Sequence, residues 1–228
     1  MGNIKGSNLT NVKKQNVSAI RDVIYRHGPI SRSEIAHMLS LTPPTITTNI
    51  ARMIEQGLVH ECGALEPETR EVGRRRVKID FVEDAAFFVG IEINPYQIAI
   101  CITNLRGMML AEARIPWKRR EDNFVLSEDL KELLRRIDGN DYRGSVEMLA
   151  GVILTMIEVS GIERERVQGC AIALPGLIER KSGILKKSTL KAWNDHSIAR
   201  DLSRLLDLPV MLENNARARA MVQKLLYQ

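Results

Sequence analysis

Two short helices that must stop and restart within three residues constrain this chain more than any other feature. The first opens with Ser31-Arg32-Ser33-Glu34, a capping box in which hydroxyl and carboxylate each satisfy an orphan backbone donor. Ile35, Ala36 and Leu39 follow at helical spacing and supply a buried stripe. After Leu41, Thr42 stands at a helix cap and Pro43 at the first helical position, where a missing N–H costs nothing. The pattern of the second helix turns Ile46, Ile50, Met53 and Ile54 inward and leaves Thr45, Thr47, Thr48, Asn49 and Arg52 outward. A helix presenting Thr, Asn and Arg to solvent can enter the major groove, where such side chains reach base edges and phosphates. With Ser31 and Thr42 at the two helix starts, these residues form the candidate DNA-contacting set.

The flanking residues extend this into a winged helix-turn-helix. A helix from about Val12 to His27, with Val17, Ile20, Ile24 and His27 on one face, ends at Gly28-Pro29. Gly57-Leu58-Val59 ends the second helix of the pair and starts a strand running to about Cys62. A polar loop from Ala64 to Val72 then leads into Gly73-Arg74-Arg75-Arg76-Val77-Lys78-Ile79. The return strand of such a hairpin puts Arg74, Arg75, Arg76 and Lys78 within reach of phosphates or the minor groove. Taken alone, an arginine triplet is equally a solvated turn; the capped helix pair beside it favours the DNA reading.

Charge follows the same division. Residues 1–82 hold 12 Lys/Arg against 8 Asp/Glu, a net of +4, while residues 83–228 hold 21 against 20, a net of +1. The excess therefore sits on the head, where a polyanion would dock. Met1 to Asn11 is polar with no apolar core, and the longest apolar run, Met148 to Ile157, is too short to span a bilayer. Cys62, Cys101 and Cys170 are too widely spaced for a disulfide framework or a zinc site. The expectation is a cytoplasmic protein with reduced cysteines, no metal, no cofactor and no membrane partner.

From Ala85 the pattern changes to strands. Phe87 to Ile93, Gln97 to Thr103 and Met108 to Ile115 are joined by tight turns and read as an antiparallel meander. Residues 118–143 are charged and irregular, with a helix expected from Ser127 to Ile137, and read as a surface insertion or linker. A helix carrying Val146, Leu149, Ala150, Ile153 and Ile157 ends at Gly161, and Val167 to Leu174 forms a strand. A helix with Ile198, Leu202, Leu205 and Leu206 leads to a last strand, Pro209 to Leu212, and a final helix starts near Asn214 or Asn215. Meander strands followed by alternating helices and strands make a mixed-sheet α/β layer. The fold expected is thus α+β and α/β: a winged head over 1–82 and a second domain over 83–228.

Ile91-Glu92-Ile93-Asn94, Leu105-Arg106-Gly107, Ala173-Leu174-Pro175-Gly176, Trp193 and Leu208 to Asn215 resemble, in order and spacing, landmarks of the ROK family. That family groups bacterial repressors and sugar kinases on the actin-like, ribonuclease-H-like fold. The winged head resembles its repressor branch, typified by xylose and N-acetylglucosamine repressors. The resemblance implies a transcriptional repressor of a carbohydrate uptake or catabolism operon, binding a double-stranded DNA operator as a homodimer. The alternative is a ROK sugar kinase with a DNA-binding extension, which fold alone supports.

Departures from the kinase pattern separate these two. ROK kinases follow the first strand with an acidic residue and Gly-Gly-Thr, whose glycines let backbone approach nucleotide phosphates. This chain has Glu92-Ile93-Asn94-Pro95-Tyr96, where Pro95 removes a donor. The kinases carry Asn-Asp after the strand ending in Glu, the Asp acting as base. Here Asn215 replaces it, and a neutral amide has no useful proton affinity near pH 7. The resemblance makes Gly176, Asn214 and Asn215 candidate sugar contacts and leaves no catalytic residue. Asn214-Asn215 is also readable as a helix cap alone. Trp193 reads as a sugar platform or, more in keeping with the family pattern, as an aromatic covering the sheet. His196 falls near a helix start with no ligand cluster around it. The family's Glu-x-Gly-His segment, further sugar ligands and zinc-binding His/Cys cluster do not occur in these 228 residues. The expectation is therefore a head plus an incomplete first lobe, with a sugar effector requiring the other lobe.

Overall fold

The structure, a computed structural model, describes residues 9–64, 77–94, 96–116, 132–133, 135–136, 141–180 and 182–227. The chain folds into two compact units, Met1–Ala85 and Ala86–Gln228.

In the first unit, helix α1 (Leu9–His27) is followed by a two-residue strand β1 (Ile30–Ser31), α2 (Arg32–Leu39) and α3 (Pro43–Glu55). Strands β2 (Val59–Ala64) and β3 (Val77–Phe81) complete a three-stranded sheet of order β1-β3-β2. The core is apolar: Ile20, Val23, Ile24, Ile30, Ile35, Ile46, Ile50, Met53, Val59, Ile79 and Phe81 are all buried. On α1 the inward row is Ile20, Val23 and Ile24; His27, expected on that face, is exposed in the last turn. Strand β1 was not apparent from sequence, because two residues carry no periodicity. It pairs antiparallel with β3, Ile30 opposite Ile79 and Ser31 opposite Lys78, and so anchors the start of α2 to the sheet.

The second unit is built on a five-stranded sheet of order β10-β7-β4-β5-β6. β4 (Phe87–Ile93), β5 (Gln97–Asn104) and β6 (Met109–Pro116) are the antiparallel meander, while β7 (Val167–Leu174) and β10 (Val210–Asn214) join in parallel. Alternate residues of β4 and β5, from Phe87 to Ile93 and from Ile98 to Ile102, are buried, as period-2 geometry requires of one covered face. Helices α4 (Tyr142–Val159) and α5 (Ile198–Leu206) contribute Val146, Leu149, Ile153, Ile157, Leu202 and Leu206 to the same core. A short hairpin, β8 (Leu177–Glu179) with β9 (Ile184–Lys187), follows β7, and α6 (Asn215–Tyr227) follows β10.

One expectation needs correction. In the stretch 118–143, the helix expected from Ser127 to Ile137 is met at Glu132, Leu133, Arg135 and Arg136, but Leu133 is fully buried in the core, so the stretch is not a surface insertion there. Leu130, Leu133, Leu134 and Ile137 recur at helical spacing, but that local pattern does not say what covers the face they form. The β8–β9 hairpin carries no sequence signal of its own, its strands being only three and four residues long.

Cys170 lies buried on β7. Burial first, and the nearby Cys101 second, push its thiol up to about 12. Since the thiolate is the reactive form, Cys170 is expected to resist a disulfide reagent at pH 8 in the folded chain and to react fully once unfolded. Mass mapping of labelled peptides with and without urea checks this.

Candidate functional site

The head presents one face of α3, and its neighbours decide which. Ser31 caps α2 with a complete box: its hydroxyl accepts from the Glu34 N–H at 3.3 Å, and a Glu34 carboxylate oxygen accepts from the Ser31 N–H at 2.8 Å. Ser31 is only 2% exposed, so it is a capping residue whose hydroxyl is spent internally rather than an outward contact. Arg32 bonds Glu61 at 2.7 Å and ties α2 to β2. Ser40, in the left-handed region at φ 52, ends α2.

Thr42 is the N-cap of α3 in position, but its hydroxyl bonds the Thr45 hydroxyl at 2.9 Å instead of a backbone N–H. Pro44 has no N–H, which removes one of the two usual partners of a capping side chain. Ile46, Ile50 and Met53 are buried, whereas Ile54, expected inward, is 36% exposed at the margin of the stripe. Thr47, Thr48 and Arg52 are exposed. Thr45 and Asn49 are half-buried, and the Asn49 amide donates back to the Thr45 carbonyl at 2.8 Å. The outward surface of α3 is therefore narrower than the sequence suggested. In the wing, β2 and β3 pair with an irregularity between Cys62 and Ala64, and Lys78 is half-buried on β3. Arg74, Arg75 and Arg76 lie outside the described residues.

In the second unit Gly176, Asn214 and Asn215 come together where β4, β7 and β10 end. Gly176 takes φ 140, and a side chain there would collide with the Lys187 carbonyl; glycine is required for the backbone itself. Asn214 donates its amide to the Gly176 carbonyl at 2.9 Å, and its oxygen accepts from the Ala216 and Arg217 N–H groups. Asn214 is thus the cap of α6 and a brace for the loop at once. Asn215 donates to the Ile93 carbonyl at 3.0 Å, fastening α6 to the end of β4. Arg219 adds a second tie, at 2.5 Å to Glu92. Beyond Ile93, the Asn94 side chain accepts from the Tyr96 and Gln97 N–H groups, closing a tight polar turn.

Glu213 was missed from sequence. It is buried on β10 and meets both Arg180 and Arg217. Burial alone would push its carboxyl up; the Asn214 N–H and the two guanidiniums outweigh that and hold it below the usual carboxylate range. Trp193 is fully buried, its indole N–H donating to the Ser145 hydroxyl at 3.1 Å, with Tyr142 edge-on at 6.1 Å. It is a core residue with no face open to a ligand. His196 is exposed and stacks on Tyr142 at 3.7 Å, and Tyr142 bonds Asp201 at 2.7 Å.

The family model described as "ROK family" matches residues 88–227, from β4 to the end of α6. This chain belongs to the ROK family. A second model, "MarR family", matches residues 22–61 within the head. Among curated proteins, the chain is 24% identical over 213 residues to the "Putative xylose repressor" of Caldicellulosiruptor sp. (strain Rt8B.4), covering 93% of this chain and 48% of that protein. It is 25% identical to the "Xylose repressor" of Bacillus subtilis (strain 168), covering 94% and 50%. To the "DNA-binding transcriptional dual regulator NagC" of Escherichia coli (strain K12) it is 25% identical, covering 80% and 39%. The chain spans about half the length of the curated relatives it matches. Among solved structures, a ROK family transcriptional regulator described as a homolog of the E. coli MLC protein superposes with a TM-score of 0.68 at 23% identity, covering 94% of this chain and 48% of that one. The architecture is a MarR-like winged head followed by the first lobe of the actin-like ROK fold.

Two outcomes follow for the ROK lobe. Asn215→Asp removes the donor to the Ile93 carbonyl and sets a carboxylate against it, so urea unfolding is expected to show a loss of about 1–3 kcal/mol. Because the folded Glu213 carboxyl titrates below its unfolded value, its contribution is complete above the ordinary carboxylate range and is lost as pH falls through the lowered value. Glu213→Gln is expected to flatten that acid limb in a series of melting curves between pH 3 and 7.

Proposed function

We propose that this ROK protein is a DNA-binding transcriptional regulator, a repressor of a carbohydrate uptake or catabolism operon, whose ROK lobe senses sugar and does not transfer phosphate. The observation that carries the reading is the orientation of α3. Burial of Ile46, Ile50 and Met53 leaves Thr47, Thr48 and Arg52 outward on one helix face, a set suited to base edges and phosphates. Thr42, Thr45 and Asn49 border that face, and Arg74, Arg75 and Arg76 supply basic charge in the same unit. The named functions of the curated relatives support the same reading.

A kinase role is disfavoured by the chemistry at the end of β4. The polar turn at Asn94 occupies the place of a glycine pair, and Asn215 is an amide already donating to a carbonyl. Neither can cradle phosphate or accept a proton from a sugar hydroxyl. Sugar contact through Gly176, Asn214 and Asn215 would require groups from an opposing lobe, because the Asn214 amide and oxygen are committed to the loop and the helix cap. The repressor acts in the cytoplasm, as a homodimer on a two-fold operator, since a single winged head offers too few contacts for useful specificity.

Fluorescence anisotropy on operator and random DNA at several salt concentrations tests the reading. Thr47→Ala and Thr48→Ala are expected to lose roughly 1–3 kcal/mol on operator for each base contact removed, with little change on random DNA. Arg74→Ala and Arg75→Ala are expected to weaken both alike and lower the salt slope by about one per phosphate contact. Equal losses on both DNAs for the threonine variants would refute base reading by α3. Glucose- or xylose-dependent consumption of ATP by the purified chain would favour the kinase instead.

A further inference from the structure

Among the described residues, the outer side of β6 is an open edge. It is the last strand in the order β10-β7-β4-β5-β6, and no other described strand pairs with that side. Such a row of N–H and C=O groups is a template for another strand, which charged side chains (lysine above all), proline or a bulge can blunt. β6 contains no lysine, and its single proline, Pro116, is its last residue. Its irregularity sits at the start, where the register shifts between Ile102 and Thr103. Residues 111–115 run regularly against β5. Beside them Met108, Met109 and Leu110 are 55%, 53% and 42% exposed.

The edge is also self-complementary. An antiparallel pair of identical strands has its two-fold axis between a residue and its own copy. With the axis at Ala113, Glu112 of each copy directly faces Arg114 of the other, twice, on one side of the sheet. Within the chain Arg114 Nε donates to Glu112 Oε1 along the strand at 2.7 Å, with both exposed. On the other side Ala111 would meet Ile115, and Ala113 would meet itself. The small alanines let the layer of Ile98, Ile100, Ile102 and Ile115 continue across the joint. Moving the axis by one residue puts Glu112 against Glu112 or Arg114 against Arg114, and parallel in-register pairing puts like charges together throughout. Charge therefore selects one register.

We propose that β6 is the surface through which a second copy of this chain docks, joining two five-stranded sheets into one continuous sheet about Ala113. It gives the dimer of the operator reading its interface, yet rests on the edge and its charges alone.

Sedimentation velocity of the 228-residue chain without DNA tests it, so that its failure is separate from failure of operator binding. The wild-type chain is expected to dimerise, and Glu112→Arg or Arg114→Glu alone to weaken association roughly tenfold or more, since two attractive cross-strand pairs become repulsive. Mixing the two single variants is expected to restore dimers, because one copy then carries arginine at both positions and the other carries glutamate at both. Ala113→Cys supplies an independent check: directly opposed Cα atoms about 5 Å apart suit a disulfide, so oxidation should yield a covalent dimer beyond that of the wild-type chain. A monomeric wild-type chain, single variants that associate like wild type, a mixture that restores nothing, or no added cross-link at 113 would each overturn the proposal.

Discussion

Burial of Ile46, Ile50 and Met53 is the constraint on which the head depends. Once those three side chains are committed to the core, helical geometry leaves no freedom in which residues α3 shows to solvent. The rest of the head serves that one orientation. The Ser31–Glu34 box fixes where α2 begins, β1 holds that point to the sheet through Ile30 and Ser31, and the left-handed Ser40 turns the chain into Pro43.

The ROK lobe answers to a different demand, the fastening of α6 to the end of the sheet. Three neighbouring residues do this in different ways. Glu213 is held between two arginines, Asn214 caps the helix and braces the Gly176 loop, and Asn215 reaches the last carbonyl of β4. Each puts to structural use a polar side chain that sequence alone leaves open to a catalytic or ligand role. The same amide group that lets Asn215 donate to the Ile93 carbonyl leaves it without useful proton affinity near pH 7.

Much of this was legible in the sequence because periodicity and capping are local. The capping box, the proline at the start of α3, the three meander strands and the amide in place of a carboxylate could all be read directly. What escaped was non-local or too short to have a period. β1 gains its stability from β3, distant in sequence, the strands of the β8–β9 hairpin are too short to show a period, and Leu133 joins a core built largely by elements far from it in the chain. The candidate DNA set was overdrawn for the same reason. Ser31 looks like an available hydroxyl until its burial is known, and Asn49 looks outward until its amide is found bonded to the Thr45 carbonyl. Glu213, read from sequence only as part of a family landmark, was given no role because its arginine partners, Arg180 and Arg217, meet it only in the folded lobe.

The account stands on α3 lying in a major groove, and guanine N7, which faces only that groove, reports it directly. Dimethyl sulfate protection of bound operator is expected to show N7 protected at the centre of each half-site, with that protection lost in the Thr47→Ala, Arg52→Ala double variant while flanking phosphate contacts persist. Full N7 reactivity throughout the bound operator, or protection confined to adenine N3 in the minor groove, would contradict it.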